Sequence, residues 1–176
     1  KAMRNRDWIC IVVLEGAFWT MREWCGFEKL CMMMIEQPDF VAEMAEFWEN
    51  FIAGYLDRVL QHVVPDAVRV SEDMAYKQKS MISPEMAREF CMPCWKRWSR
   101  QARNAGVPLF DIDSDGFLGE LIPLWIESGV NVCDPIEVAA NNDINEFRRR
   151  YSRQMAYMFG VDKRAIAKGG QALRQE

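Results

Sequence analysis

The chain has 176 residues, half of them hydrophobic and 27% charged, enough apolar material for one ordinary domain with its own core. A net charge of −4 argues against a dedicated nucleic-acid binder, and no apolar run approaches the roughly 18 residues that a membrane-spanning helix needs. The six cysteines lie scattered among apolar residues and form no disulfide-like framework, which fits reduced thiols and a cytoplasmic location.

In chain order, residues 8–14 (WICIVVL) read as a buried strand rich in β-branched residues, and 15–20 (EGAFWT) as the loop leaving it. A helix is predicted over 27–36. Pro38 suits the first turn of the next helix, which should reach His62. Its apolar positions, among them Phe40, Val41, Met44, Phe47 and Phe51, recur at three and four residues and define one buried face. A turn at 64–66 leads to a strand at 67–70 and a polar loop to Lys77. Ser83 can cap a helix with Pro84 in its first position, running to about Asn104 and ended by Ala105-Gly106. A strand at 107–111, a helix at 117–128 and a strand at 131–133 follow. Asp143 can cap a helix through about Gln154; a strand at 155–160 and a helix from near Arg164 complete the pattern. The chain starts at Lys1 in mid-pattern and ends in what reads as an unfinished helix, so further sequence is expected at both ends.

Five strands, each followed by one or more helices, imply right-handed parallel β/α units and an α/β fold. The alternatives are a (β/α)8 barrel or an open doubly wound sheet. Neither GxGxxG nor GxxxxGK[ST] occurs, which counts against a nucleotide-binding open sheet.

Chemistry-bearing residues concentrate where the strands should end, the end at which parallel α/β enzymes hold their sites. Asp111, Asp113 and Asp115 alternate before Gly116; three carboxylates so close need a cation, water or hydrogen bonds to offset their repulsion. They read either as a metal or acid/base site or as solvated acids in a turn. DxDxDG resembles a calcium loop, but Ile122 stands where that loop needs a Glu. Glu72 and Asp73 can hold a substrate amine or hydroxyl or take a proton, Lys77 can bind a carboxylate, and Glu137 follows the next strand. Asp162 and Lys163 follow the last strand. Trp19 and Trp24 can make an aromatic wall for a flat substrate or pack in the core. Cys91 and Cys94 have CxxC spacing but lack a second pair or a nearby His, and His62 is the only histidine, so a structural role suits all three.

Gly16-Ala17-Phe18-Trp19-Thr20, Glu72-Asp73-Met74, Ser83-Pro84-Glu85-Met86, Phe90-Cys91-Met92-Pro93, Asp113-Ser114-Asp115-Gly116, Asp134-Pro135-Ile136-Glu137 and Gly160-Val161-Asp162-Lys163-Arg164 together resemble the uroporphyrinogen decarboxylase superfamily. The resemblance spans nearly the whole chain. It implies a (β/α)8 TIM-barrel-like fold, here a single incomplete barrel domain over 1–176 with about five β/α units. It also implies one of two chemistries: cofactor-free decarboxylation of the acetate arms of uroporphyrinogen, or zinc-dependent methyl transfer between a corrinoid protein and a thiol. Asp73, Asp113, Asp115 and Glu137 are the catalytic candidates, and Trp19, Trp24, Glu72, Lys77 and Asp162 the substrate-binding ones. Any metal is left open. The chain departs from both patterns. Trp24 stands at the decarboxylases' Tyr, Asp73 at their Ser, and Asp113 and Asp115 where methyltransferases have His-x-Cys. A non-catalytic ligand-binding member of the fold is therefore the alternative. The expected partner is a small-molecule substrate, with neither nucleic acid nor membrane. Because an unclosed barrel exposes sheet edges, a homodimer is a further expectation.

Overall fold

The computed structural model describes residues 7–176; the lead-in at residues 1–6 lies outside the described residues. Five parallel strands form one sheet in sequence order: β1 (Ile11–Glu15), β2 (Ala67–Ser71), β3 (Leu109–Asp113), β4 (Val132–Asp134) and β5 (Ala156–Tyr157). Helices α1 (Ala17–Cys25), α2 (Phe27–Glu36) and α3 (Pro38–His62) lie between β1 and β2. Between β2 and β3 run α4 (Pro84–Met86), a π turn (Ala87–Cys91) and α5 (Met92–Asn104). Next come α6 (Ile122–Glu127) before β4, α7 (Ile144–Tyr151) before β5, and α8 (Lys163–Lys168) and α9 (Gly170–Gln175) after it. This is the expected arc of five β/α units from a barrel-like fold. Among the described residues β1 and β5 do not pair, and no helix is long and apolar enough to cross a membrane.

The two faces of the sheet differ. Strand residues alternate sides, and the side with Leu14, Val68, Val70, Phe110, Ile112 and Cys133 is buried under the helices. Trp95, Trp98 and Trp125 fill that layer. The register puts Val13 beside Arg69, Arg69 beside Asp111, and Asp113 beside Ser71 and Asp134, all on the opposite face. Among the described residues no helix covers that face: Ile11 is 47% and Val13 57% exposed. In a closed barrel it would be the interior.

Four sequence expectations need correcting. Residues 15–20 are not a loop, because α1 begins at Ala17. The helix expected from Ser83 to Asn104 exists but widens into the π turn just before Pro93, which has no N–H to bond the preceding turn. The helix expected over 117–128 shrinks to Ile122–Glu127. The side chains of Glu137 and Asn142 bond the backbone of Gly116 and Leu118 at 2.8–2.9 Å and tie this stretch to the loop after β4. The strand expected at 155–160 holds its ladder only over Ala156–Tyr157. By contrast, α2 and α3 have the expected bounds.

Candidate active site

On the uncovered face, Arg69 projects from β2 between two acids. Its Nε donates to Asp111 Oδ2 on β3 at 2.7 Å, and its Nη2 to Asp134 Oδ2 on β4 at 2.8 Å. Both carboxylates are nearly buried, at 3% and 2% exposure, and the Oδ1 of each is buried without a partner. One guanidinium thus faces two buried carboxylates. A proton held by the pair resolves the excess negative charge. Burial first, and then Asp111, push Asp134 well above the usual carboxylate range.

Asp113 lies one step further along β3, half-buried on the same face. Its carboxyl is raised by burial and by Asp115, Asp111 and Asp73, against the pull of Arg69. The strand ends are stitched together by backbone bonds: Asp113 O accepts from Glu72 N at 2.9 Å and Asp73 N at 3.3 Å, and Ser114 N donates to Asp134 O at 2.8 Å. Asp73, in the left-handed region at φ 43°, pairs with Arg22 of α1 at 3.4 Å. Arg22 in turn lies 4.3 Å from the ring centre of Trp19. Asp115 is exposed and its carboxyl is raised by burial, Glu137 and Asp73, with Lys163 opposing. Glu137 is held low by its bond from Lys163 and accepts from Gly116 N at 2.9 Å. Asp73, Asp113, Asp115 and Glu137 therefore gather at one end of the sheet.

The other expected residues divide. Lys77 is exposed and lines a cavity with Asp115 and Glu137. Glu72 is fully buried and has no face open to a substrate. Its carboxylate accepts from Ala17, Phe18 and Trp19 N–H at 2.9–3.3 Å and from Trp95 Nε1, so it caps α1 from 55 residues away. Burial pushes it up to about 7 against those donors. Gly16 is required there, since a Cβ would lie 2.2 Å from the Glu72 carboxyl carbon. Trp24 lies on another side of α1 from Trp19, against Phe47 and Trp48 of α3, so the two tryptophans do not form one wall. Asp162 caps α8 and is held by Arg164 at 2.6–3.0 Å, which gives it a local structural role. Cys91 and Cys94 are buried and their thiols are pushed up by burial, as befits packing residues.

Arg69, Asp134 and Arg22 were missing from the sequence-derived candidates. A signal for Arg69 existed: an arginine inside the apolar strand AVRVS needs acids on the same face of the sheet. LFDID supplies Asp111 in register on β3, and VCD supplies Asp134 one strand further on.

The fold and site define a parallel β/α arc that carries acids and one embedded arginine at the carboxyl end of its uncovered face. The family model for uroporphyrinogen decarboxylase (URO-D) matches residues 2–175, and the chain belongs to that family. No curated protein matches it.

Proposed function

We propose that this uncovered face belongs to an enzyme of the family that works by proton transfer from carboxyl groups, with decarboxylation as its reaction. The observation that carries this reading is the Arg69-bridged Asp111–Asp134 pair with Asp113 above it, in which the surroundings of Asp113 and Asp134 favour the protonated form. When a substrate carboxylate leaves as CO2, the C–C electron pair stays on the substrate carbon. A protonated Asp113 gives its proton to that carbon, a C–H bond forms, and Arg69 offsets the new carboxylate. Solvent then restores the proton.

The residues do not fit the zinc site of the methyltransferase branch. Asp113 and Asp115 offer oxygen where zinc held by thiolate and imidazole needs sulfur and nitrogen. Cys133 lies on the helix-covered face, and among the described residues no group of three metal-binding side chains converges. The departures at Trp24 and Asp73 favour a second reading, a ligand-binding member without catalysis.

The test is anaerobic incubation of the full-length protein with uroporphyrinogen, scoring CO2 and partly decarboxylated products. Asp113→Asn is expected to lower turnover at least about 100-fold. Wild-type turnover in that variant would sink the proton-transfer role. Absence of CO2 with zinc retained through dialysis and a methyl group passed to a thiol would favour the other branch. Binding of uroporphyrinogen without turnover would favour the second reading.

A further inference from the structure

Among the described residues Asp73 is the only acid in the left-handed backbone region, one position past the buried cap Glu72. A residue other than glycine stays there only where its surroundings hold it, and such residues gather at functional sites. The hold comes from α1. The Arg22 guanidinium donates from Nη1 to Asp73 O at 3.1 Å and from Nη2 to Asp73 Oδ2 at 3.4 Å. Arg22 is itself fixed. Its side chain is 15% exposed, and its guanidinium carbon lies 4.3 Å from the ring centre of Trp19 and 5.7 Å from that of Phe18. Met81 Sδ lies 3.6 Å from its Nη1. Helix α1 thus grips Glu72 through its first N–H groups and Asp73 through Arg22.

The gripped segment carries the end of β3. Glu72 N–H and Asp73 N–H both donate to Asp113 O, and Met74 N–H donates to Ser114 Oγ at 3.0 Å. A chain of direct contacts therefore runs from Arg22 through Asp73 to Asp113. The charged groups around Asp113 come from every neighbour: Arg69 on β2, Asp111 on its own strand, Asp134 on β4, Asp115 on the loop after β3, and Asp73. Burial is the largest influence on its carboxyl, and Asp73 is one of the acids that add to it.

We propose that Arg22 is a positioning residue of this site, which holds Asp73 in the left-handed region and so keeps its negative charge beside Asp113. This role rests on the reading of Asp113 as the proton donor. Arg22 touches no reacting atom in it and acts through Asp73.

Carbon-13 NMR of the aspartate-labelled full-length protein tests this, with the Asp113 carboxyl signal identified by its loss in Asp113→Asn. Arg22→Met should lower the titration midpoint of Asp113 by about half a pH unit or more, because a released Asp73 leaves its side. Asp73→Asn should lower it similarly, since Asn tolerates the left-handed backbone and removes the charge. In the Asp73→Asn background Arg22→Met should add nothing. A midpoint that Arg22→Met leaves unchanged or raises, or an equal fall in both backgrounds, overturns the proposal. Arg22→Lys keeps a stem over Trp19 and one charge but loses the planar fork, so it should give a smaller fall. Should Arg22→Met fail to fold, an unchanged or raised midpoint in Arg22→Lys overturns the proposal in its place. These midpoints are read without substrate. A protein that follows the pattern yet releases no CO2 loses the decarboxylation reading alone, and one that releases CO2 without the pattern loses only the role of Arg22.

Discussion

Glu72 and the Asp111–Asp134 pair are carboxylates buried on opposite sides of the same sheet, and their surroundings have opposite characters. Glu72 accepts four hydrogen bonds, three of them from the first N–H groups of α1, where the helix dipole also favours an anion. Asp111 and Asp134 share one arginine, and each keeps a buried oxygen without a partner. A buried acid whose two oxygens are both supplied with donors is holding the fold together. A buried pair left short of donors, next to an uncovered face, can still exchange a proton.

The comparison breaks most severely at Glu72. Glu72→Ala leaves three backbone N–H groups and the Trp95 indole unpaired in the core. A loss of about 4 kcal/mol in urea unfolding is expected. A loss below about 1 kcal/mol would mean that α1 does not depend on this distant cap.

That dependence also explains what was legible in the sequence. The long helix α3 announces itself through apolar spacing, and the strand cores through β-branched runs. The start of α1 does not: Gly16-Ala17-Phe18-Trp19 has no Ser, Thr, Asp or Asn to cap it, because the cap arrives from β2. The acids at the ends of β3 and β4 were visible as acids. Their partner Arg69 becomes meaningful only through strand register, which a single strand does not reveal. For the same reason Glu72 and Asp73, adjacent in sequence, looked alike, although one is sealed in the core and the other reaches Arg22.

Arg69→Ala should cost less, about 3 kcal/mol, since it strands two buried carboxylates that can relieve their repulsion by taking up a proton. Adding Asp134→Asn should recover part of that loss. If the double variant is no more stable than the single one, the two groups do not interact as described.

The pH response sharpens the comparison further. Glu72 sits near 7 when folded against an ordinary 4.5, and Asp134 and Asp113 are raised as well. The folded chain therefore holds more protons than the unfolded chain between about pH 4.5 and 7, and stability falls as pH rises through that window. Glu137, held low by Lys163, acts in the opposite sense, but its contribution is complete above the ordinary carboxylate range. A decrease of about 2 kcal/mol from pH 5 to pH 8 is expected, reduced in Glu72→Gln. Stability that rises over this interval would contradict the raised carboxyls.

The smallest effect on stability belongs to Asp115, and its smallness is informative. Its side chain is exposed beside Glu137 and Asp73, whose negative charges disfavour its own. Asp115→Asn removes that repulsion without opening a cavity, so the unfolding midpoint should hold or rise slightly, by less than about 0.5 kcal/mol. A residue kept for the fold would show a loss instead. Asp115 lines two cavities at this end of the sheet, beside Glu137 and Lys163, so the same substitution should alter turnover even though the fold is unaffected. Measured together, an unchanged midpoint and a changed turnover would put Asp115 with the acids of the uncovered face and apart from Glu72. A clear drop in the midpoint would move it to Glu72's side of the comparison.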